Sequence, residues 1–317
     1  MNAIPTLSII IVSWNVRDYL RACLNSIQQT VPTDFAYEVI VVDSASSDST
    51  LEMLHTEFGW VQVLAQDRNI GFTKGNNVGL KAAKGRYLML LNPDTEVFDQ
   101  TLVQMTRCLD QHPEVGIVGP HTLNTDGSHQ STRRRFPTMG TAFFESTWLQ
   151  PYAPRRILDH YYARELPDDA VFPVDWVQGS ALMVRREVYE QIGPLDEGYV
   201  MYYEELDWCK RASQAGWKAL YLGTFKITHH GGKSSEQVFD SRVIHFQQSK
   251  LRYFGKFHGW LAAAGLRLFL IEMYVQEIIL QSVKWLIGSK RRLRVKLLRS
   301  DWKALLALAG FPGMIKG

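Results

Sequence analysis

Residues 7–14, LSIIIVSW, form a mostly apolar run rich in β-branched residues, with Ser8 and Ser13 as its only polar members. Such a run is typical of a strand that is buried on both faces, as in a parallel sheet. Three later stretches have the same character, and segments with apolar residues at helical spacing lie between them. The predicted strands are Leu7–Trp14, Tyr37–Val42, Val61–Ala65 and Arg86–Leu91, and the predicted helices are Arg17–Gln29, Ser47–Phe58 and Thr73–Ala83. This alternation predicts an α/β protein with a mostly parallel sheet and helices on both faces.

The chain beyond residue 94 continues the pattern less regularly. Residues 129–173 contain five prolines and many aromatic side chains, and no clear periodicity runs through them. The predicted elements around this region are the helices Gln100–Gln111 and Glu204–Ala215 and the strands Val115–Val118, Val174–Val184, Lys218–Leu222 and Lys226–His229.

The composition is that of an ordinary globular protein. Of 317 residues, 46% are hydrophobic and 21% are charged, which excludes a disordered or low-complexity chain. Three scattered cysteines, Cys23, Cys108 and Cys209, make neither a disulfide framework nor a CxxC metal site, so we expect a reducing compartment. The first residues have no basic region and no small-residue cleavage site, so we expect no signal peptide.

Charge is distributed unevenly along the chain. Residues 1–244 contain 22 Lys and Arg against 29 Asp and Glu, whereas residues 245–317 contain 13 against 3. We therefore predict an acidic body, 1–244, and a basic extension, 245–317. A basic extension is suited to an anionic partner, either nucleic acid or a membrane surface.

Polar residues follow three of the predicted strands, at the point where each strand ends. Asn15 follows the first strand, Asp43 ends the second, and Asn92-Pro93-Asp94 follows the fourth. Ligands of open α/β sheets bind at the carboxyl ends of the strands, so we expect these side chains at one ligand-binding edge. Asp43 could accept hydrogen bonds from a base or a ribose, and Asp94 could bind Mg²⁺ or Mn²⁺. The structural alternatives are a cap of the next helix, which would account for Ser47 or Asp48 in the run after Asp43, and a solvated turn at Asp94.

A turn rich in Gly and Asn leads into the third predicted helix. It reads NIGFTKGNN over residues 69–77, and it matches neither the P-loop nor the dinucleotide-binding pattern. Glycine at such a turn lets the backbone approach a ligand closely, although a plain capped turn would look the same. Arg133–Arg135 fit either a phosphate contact or a solvated loop, and we leave them out of the predicted site.

Three carboxylates lie within four positions at the start of a predicted helix. Glu204 and Asp207 can share one helix face, whereas Glu205 must point elsewhere. Acidic residues also favour helix N-termini through the dipole, which is the structural alternative. His229 and His230 follow a short strand and point to opposite faces, so at most one of them is a ligand.

Taken together, these stretches resemble glycosyltransferase family 2, whose members have the GT-A fold. The closest resemblance is to the rhamnosyltransferase-like branch that builds bacterial surface polysaccharides. The matching stretches span roughly residues 7–235: SIIIVSWN, VIVVDSASSDST, NIGFTKGNNVGL, YLMLLNPDT, VQGSALMVRRE, GPLDEGYVMYYEELDWCKRA and ITHHGGKSS.

The resemblance implies a GT-A domain over residues 1–244, with a nucleotide-sugar half at about 1–120 and an acceptor half at about 121–244. It implies that Asp43 binds the nucleotide base and that Asp94 is the metal-binding end of the family's Asp-x-Asp motif, in which Asn92 replaces the first aspartate. The residues that the resemblance implies in nucleotide-sugar binding are Asn15, Asp43, Asn69, Gly71, Asn76, Asn92 and Asp94.

For the catalytic base, the resemblance implies Glu205, where relatives commonly have an aspartate, with Glu204 as the alternative. His229 matches the family's His-x-Gly-Gly histidine and would contact the metal or the pyrophosphate. The implied reaction is an inverting transfer, with Mg²⁺ or Mn²⁺, from dTDP-rhamnose or a UDP-sugar to a hydroxyl of a saccharide or lipid-linked acceptor.

Two other functional classes would also bind a nucleotide on an α/β sheet. A nucleotidyltransferase also uses a nucleotide-binding α/β sheet, but the Gly-rich basic signature of that class is absent from SIIIVSWN. A non-catalytic, membrane-associated nucleotide-sugar binder would not need its acidic cluster at residues 204–207.

The basic extension decides where we expect the protein to act. Residues 259–288 are apolar, but charged residues interrupt them, so no stretch is long enough to cross a bilayer. Residues 289–308 mix seven basic residues with Leu, Val and Trp at helical spacing, as in an interfacial helix. We expect peripheral attachment at the cytoplasmic, anionic face of the plasma membrane and no nucleic-acid partner. A packed helical hairpin or a dimer interface is the alternative.

Overall fold

A computed structural model describes residues 4–232, 239–288 and 290–310, with the side chains of 239–241 left out. The chain forms two compact units. The first, here called the sheet unit, comprises the described residues within Met1–Phe136, Asp159–Glu197 and Glu204–Gln237. The second, the helical unit, comprises those within Pro137–Leu158, Gly198–Tyr203 and Val238–Gly317.

The strands and helices alternate in the first hundred residues, as the sequence predicts. The strands are β1 (Leu7–Ser13), β2 (Tyr37–Asp43), β3 (Gln62–Ala65), β4 (Tyr87–Leu91), β5 (Thr95–Val97), β6 (Val115–Leu123), β7 (His129–Gln130), β8 (Arg133–Arg134), β9 (Val171–Val174), β10 (Trp176–Val177), β11 (Ala181–Arg185) and β12 (Lys218–His229). The helices are α1 (Arg17–Thr30), α2 (Thr50–Glu57), α3 (Phe72–Ala82), α4 (Thr101–Gln111), α5 (Met139–Phe144), α6 (Arg155–Tyr161), α7 (Arg186–Ile192), α8 (Glu204–Gln214), α9 (Phe239–His258), α10 (Trp260–Ile287) and α11 (Arg291–Leu308).

Among the described residues, a mixed sheet has the strand order β3-β2-β1-β4-β11-β6-β12-β5. The predicted parallel arrangement holds for β3, β2, β1 and β4, which pair in parallel. Strand β11 is antiparallel to both of its neighbours, β4 and β6. The first residue of β11 therefore lies opposite the last residue of β4, with Ala181 paired to Leu91. This reversal brings the start of β11 to the edge where β4 ends.

The end of the sheet differs from its prediction. Two short strands were expected over residues 218–229, and the structure forms one strand, β12, with a register shift between Leu222 and Lys226. Gly223 lies in this irregular stretch, where an added Cβ would fall 2.5 Å from backbone oxygens of Asp168 and Ala170. The irregularity lets one strand pair with β6 along its length and then with β5 at its end.

The core of the sheet unit explains the apolar run at residues 7–14. Leu7, Ile9, Ile10 and Ile11 are fully buried, which is why every position of β1 up to Val12 is apolar apart from Ser8. Helix α3 packs on β1 through glycines, since an added Cβ at Gly75 would lie 2.7 Å from Val12 Cγ1. The glycines of α3 therefore allow this helix to lie close against β1.

The helical unit is built around aromatic contacts and one buried lysine. The ring centroids of Phe143 and Phe269 are 4.9 Å apart, and Lys250, fully buried, donates to the carbonyl of Glu145 at 2.7 Å. The predicted domain boundary at residues 244/245 falls inside α9. In the part of the chain that the structure describes, no helix is both long enough and apolar enough to cross a membrane.

Candidate active site

A row of buried side-chain oxygens lies where the strands of the sheet unit end or begin. These oxygens have no hydrogen-bond partner among the described residues, although burying an unpaired polar group costs about 1–3 kcal/mol. They belong to Ser13 and Asp43, which end β1 and β2, to Ser44 and Asn92, which follow β2 and β4, and to Ser180, which precedes β11. Unpaired oxygens gathered at one sheet edge indicate a polar ligand there.

Asp43 lies at the carboxyl end of β2 and is fully buried. Its Oδ2 accepts a hydrogen bond from the Ser46 N–H at 3.0 Å, and its Oδ1 has no partner among the described residues. Asn15 joins the loops after β1 and β2, because its Oδ1 accepts the Ser47 N–H at 2.7 Å and its own N–H donates to Ser46 Oγ at 3.0 Å. The predicted helix caps Ser47 and Asp48 lie just before α2, which begins at Thr50.

An open cleft of about 590 Å³ lies beside these loops. Asp43, Asp94 and Glu205 are not among its lining residues, which are Asn15, Val16, Arg17, Asp18, Tyr19, Ser47, Asp48 and Ser49. One wall, Tyr19, contacts His230 with ring centroids 5.3 Å apart. His230 also contacts Glu96, with Nε2 and Oε1 2.6 Å apart. The cleft wall at Tyr19 therefore lies next to His230.

Asp94 and His229 form the second part of the site. Asp94 is buried, and its Oδ1 lies 3.3 Å from His229 Nε2. The segment after β12 holds the aspartate in place, because the Gly232 N–H donates to Asp94 Oδ2 at 2.7 Å and the His230 N–H donates to the Asp94 carbonyl at 2.9 Å. Asn92 Nδ2 lies 3.2 Å from the same His229 nitrogen. Of the two histidine side chains, it is therefore that of His229 that contacts the carboxylate of the predicted metal aspartate.

The donor atoms at this point fit a divalent cation that shares its coordination with a ligand. Among the described residues there is no group of three or more His, Cys, Asp and Glu side chains that could enclose a metal ion. Asp94 and His229 instead offer one carboxylate oxygen and one imidazole nitrogen, and the unpaired Asn92 Oδ1 is an oxygen of the type that hard cations prefer. Cations of the Mg²⁺ type commonly take one or two protein ligands and complete their shell with phosphate oxygens and water.

The Gly- and Asn-rich turn is held by local hydrogen bonds. Asn69 Oδ1 accepts the Gly71 N–H at 2.9 Å, and Gly71 has a φ of 79° immediately before α3. Asn76 is buried, and its Nδ2 donates to the Phe72 carbonyl of the same helix at 3.0 Å. These contacts account for the sequence of the turn by folding alone, and nucleotide binding by Asn69, Gly71 and Asn76 stays a prediction.

The three carboxylates at the start of α8 differ in their surroundings. Asp207 is fully buried and forms an ion pair with Arg211 at 2.7 Å, so it is a structural residue. Glu204 is buried, and burial together with the charge of Glu205 raises its pKa well above the usual range. Glu205 is half-buried, and burial raises its pKa as well, while N–H groups of its own residue, Gly179 and Leu206 and the charge of Arg134 act in the opposite direction.

A short chain of contacts joins Glu205 to the Asp94 region. The Asn92 N–H donates to the Ser180 carbonyl at 2.9 Å, and the neighbouring Gly179 N–H donates to Glu205 Oε1 at 3.4 Å. Glu205 Oε2 has no partner among the described residues. The structure thus brings Glu205 close to Asn92 and its neighbours, and the antiparallel entry of β11 is what makes this possible.

Several residues near the site were not predicted from the sequence. Arg133 and Arg134 are buried rather than solvated, and Arg133 forms an ion pair with Asp168 at 2.7 Å, which excludes a solvated loop for these two. Gln130 accepts a hydrogen bond from His229 Nδ1 at 2.7 Å. The polar composition of residues 124–135 was the available signal, but polar loops are common and composition does not reveal their partners.

Comparison with known proteins places the chain in a family. The family model described as "Glycosyl transferase family 2" matches residues 8–193, more than half of the sequence. The chain therefore belongs to glycosyl transferase family 2, and the predicted family is confirmed.

Two curated relatives are rhamnosyltransferases, as the resemblance in sequence predicts. The chain is 25% identical over 269 residues to the N-acetylglucosaminyl-diphospho-decaprenol L-rhamnosyltransferase of Mycobacterium tuberculosis (strain ATCC 25618 / H37Rv), covering 81% of this chain and 87% of that protein. It is 23% identical over 268 residues to the rhamnosyltransferase WbbL of Escherichia coli (strain K12), covering 78% of this chain and 92% of that protein.

Solved structures support the GT-A fold. The mannosyltransferase PcManGT from Pyrobaculum calidifontis, in complex with GDP-Man and Mn²⁺, matches with a TM-score of 0.57 and 15% identity, covering 100% of this chain and 89% of that chain. GalNAc-T7 with UDP, GalNAc and Mn²⁺ matches with a TM-score of 0.55 and 17% identity, covering 73% of this chain and 44% of that chain. At these identities the likeness establishes the fold, and the predicted fold class is confirmed.

Proposed function

We propose that this glycosyltransferase moves a sugar, with inversion at the anomeric carbon, from a nucleoside-diphosphate sugar to a hydroxyl of a saccharide or lipid-linked saccharide. The observation that carries the proposal is the contact chain from Glu205 through Gly179 and Ser180 to Asn92, beside Asp94 and His229. A carboxylate with a raised pKa and a pair of cation ligands at one sheet edge are the groups that such a transfer needs.

The donor would bind across the carboxyl ends of β2, β1 and β4. Asp43 Oδ1, buried and without a partner among the described residues, is suited to accept a hydrogen bond from the base, and Asn15 holds the loop beside it. Asp94 and His229 would hold Mg²⁺ or Mn²⁺, which would neutralise negative charge on the leaving diphosphate. The Mn²⁺ in both structural neighbours supports this assignment.

Glu205 would act as the general base on the acceptor hydroxyl. The Gly179 N–H orients Oε1, and Oε2 remains available to take the proton as the hydroxyl oxygen attacks the anomeric carbon. Burial raises the pKa of Glu205 from its ordinary value of 4.5, which makes the carboxylate a stronger base near neutral pH. Glu204, buried beside it, is the alternative base.

For the donor sugar we propose rhamnose carried by dTDP, with UDP-sugars as the other class to be tested. The two rhamnosyltransferases among the relatives support this choice, and the name of the mycobacterial relative includes a diphospho-decaprenol acceptor. We propose that the protein acts at the cytoplasmic face of the plasma membrane, where its helical unit would contact anionic lipid. Exposed apolar side chains on α10 and α11, next to basic residues, support this location.

The decisive experiment incubates the full-length protein with a panel of nucleotide sugars, Mn²⁺ or Mg²⁺, and a lipid-linked saccharide. We expect release of a nucleoside diphosphate from one donor of the panel. In a parallel reaction with added pyrophosphate, formation of a nucleoside triphosphate and a sugar 1-phosphate would instead indicate a nucleotidyltransferase. Donor binding without turnover, across all acceptors, would indicate a non-catalytic nucleotide-sugar binder.

The base is tested by exchanging each glutamate separately. Glu205→Gln is expected to lower kcat by about 10²–10⁴-fold while the Kd for the donor stays within a few-fold, because a positioned base contributes that much to the rate. Glu204→Gln is expected to cost distinctly less. A larger loss from Glu204→Gln would assign the base to Glu204, and small losses from both would exclude this pair.

A further inference from the structure

A continuous chain of side-chain hydrogen bonds connects the β6–β7 turn to His229. We propose that Gln130 and Asn124 are positioning residues that keep the His229 ring with its proton on Nδ1 and its lone pair on Nε2, directed at Asp94. This inference rests on the proposed role of His229 as a ligand of the divalent cation.

The direction of the chain is set at its outer end by Asp126. The Ser128 hydroxyl and backbone N–H hold the pKa of Asp126 below its usual range, so this side chain is an ionised acceptor. The Ser128 hydroxyl therefore donates to Asp126 Oδ1, 2.6 Å away. The only hydrogen of the hydroxyl is then used. Ser128 Oγ can therefore only accept a hydrogen bond from Asn124, the next member of the hydrogen-bond chain.

The next bonds follow from that constraint. Asn124 Nδ2 donates to Ser128 Oγ at 3.0 Å, which directs Asn124 Oδ1 toward Gln130. Gln130 Nε2 donates to this oxygen at 2.9 Å, which in turn directs Gln130 Oε1 toward the histidine. An amide oxygen only accepts, so His229 Nδ1, 2.7 Å away, must be the protonated nitrogen. In the neutral ring, Nε2 then carries the lone pair.

One donor and one acceptor lie close to His229 Nε2, and the donor fits a lone pair on this nitrogen. Asn92 Nδ2, a donor, lies 3.2 Å from His229 Nε2, and Asn92 Oδ1 is left without a partner among the described residues. Asp94 Oδ1, an acceptor, lies 3.3 Å from the same nitrogen. Two electron-rich atoms at this separation form an unfavourable pair on their own, and a shared cation would turn the repulsion into coordination.

The supporting turn is fixed to the sheet. Asn124 and Ser128 close the turn through the Asn124 N–H and the Ser128 carbonyl, 2.8 Å apart, and the left-handed Gly127 (φ 79°) donates to the Asn124 carbonyl at 2.9 Å. Gln130 itself pairs with Thr122 in the β6–β7 ladder. The polar chain is thus built on strand geometry, which can hold a ligand orientation more reproducibly than a free loop.

The test compares Gln130→Leu, which removes the acceptor, with Gln130→Glu, which keeps one. The first readout is the tautomer of His229, read from long-range ¹H–¹⁵N correlations of histidine-labelled protein at pH 8, with His229→Gln identifying the signal. The second is the affinity for Mn²⁺, measured by electron paramagnetic resonance with Mn²⁺ alone and with Mn²⁺ plus UDP. Gln104→Leu, on α4, is the matched control.

We expect the wild-type protein and Gln130→Glu to show the Nδ1–H tautomer. Gln130→Leu should show a mixture of tautomers and bind Mn²⁺ about 10–100-fold more weakly, with the protein still folded at the assay temperature. An Nε2–H tautomer in the wild type, or an unchanged tautomer and Mn²⁺ affinity in Gln130→Leu, would overturn the inference. Equal Mn²⁺ binding by wild type and His229→Gln would instead refute the proposed cation site, and the tautomer of Gln130→Leu would still decide the positioning role.

Discussion

At the start of α8, two adjacent glutamates meet different surroundings although they differ by one position. Glu204 is buried with Oε2 unpaired among the described residues, whereas Glu205 receives an N–H from Gly179. Burial disfavours the charged form of Glu204 and the neighbouring carboxylate adds to the effect, while a hydrogen bond from the residue's own N–H opposes them only in part. A native state that holds a proton on Glu204 more tightly than the unfolded chain has a pH-dependent stability.

The sign of this dependence follows from the raised pKa. The native state binds more protons than the unfolded chain once the pH exceeds the ordinary glutamate value of 4.5, so stability falls as the pH rises toward the raised value. Glu204→Gln has no proton to lose at this position. The melting temperature of Glu204→Gln minus that of the wild type should therefore increase from pH 5 to pH 8. Thermal unfolding in matched buffers measures this difference.

The matched control for this prediction is Glu187→Gln, an exposed glutamate in the first turn of α7. It should follow the wild-type pH dependence. If the difference in melting temperature between Glu204→Gln and the wild type stays constant over this pH range, the native state does not retain a proton on Glu204.

At the level of single residues, the sequence predicted site candidates where a polar residue stands at the end of a predicted strand. Asp43 and Asp94 could be picked out because an apolar strand precedes each of them, whereas His229 was picked out by its resemblance to the family's His-x-Gly-Gly motif. The partners of these residues could not be predicted in the same way. Gln130 lies 99 positions from His229, and its contact depends on how β7 pairs with β6.

Among the elements, the reversed strand β11 is the feature that matters most for the site. Residues 174–184 were predicted as one strand, but β9 ends at Val174, β10 spans Trp176–Val177 and β11 begins only at Ala181. Apolar content also does not reveal whether a strand pairs parallel or antiparallel to its neighbour. The antiparallel entry of β11 next to β4 places Gly179 and Ser180 at the ligand-binding edge. Helix α3 was predicted within one residue at each end. The sequence did not explain its glycines, which allow the helix to pack closely on β1.

Gly79 illustrates that reason and gives a stability prediction. An added Cβ would overlap Cγ2 of the fully buried Ile10. Overpacking of this kind costs roughly 1–3 kcal/mol, more than the gain of about 1 kcal/mol from the helix propensity of alanine over glycine. Gly79→Ala should therefore lower the free energy of unfolding, measured by urea denaturation.

The same exchange in open space is the control. Gly265 lies inside α10 with nothing within 4 Å of an added Cβ. Gly265→Ala should leave stability unchanged or raise it by up to about 1 kcal/mol. If both exchanges raise the stability equally, α3 does not depend on close contact with β1.

At the scale of the whole molecule, charge and exposed apolar surface are concentrated in the C-terminal helices. Residues 245–317 contain 13 basic and 3 acidic residues. Large apolar side chains of α10 and α11 are exposed, among them Trp260, Leu268, Ile279, Leu286, Ile287, Leu293 and Trp302. Large exposed apolar side chains concentrated on two helices in this way are typical of an interaction site. Basic residues beside it favour an anionic membrane as the partner.

The membrane proposal predicts a specific dependence on Ile287, which is 83% exposed at the end of α10. Burying such a side chain fully contributes roughly 1.5–3 kcal/mol, so Ile287→Ser should weaken binding to anionic vesicles by about 10–100-fold. Flotation of the full-length protein with phosphatidylserine-containing liposomes measures this. Ile4→Ser, at a residue 78% exposed in the sheet unit, is the matched control and should bind as the wild type does.

Binding should also weaken as salt screens the basic residues. Equal binding by both variants at all salt concentrations would mean that α10 does not contact the lipid, and a concentration-dependent dimer detected by sedimentation would then account for the exposed surface.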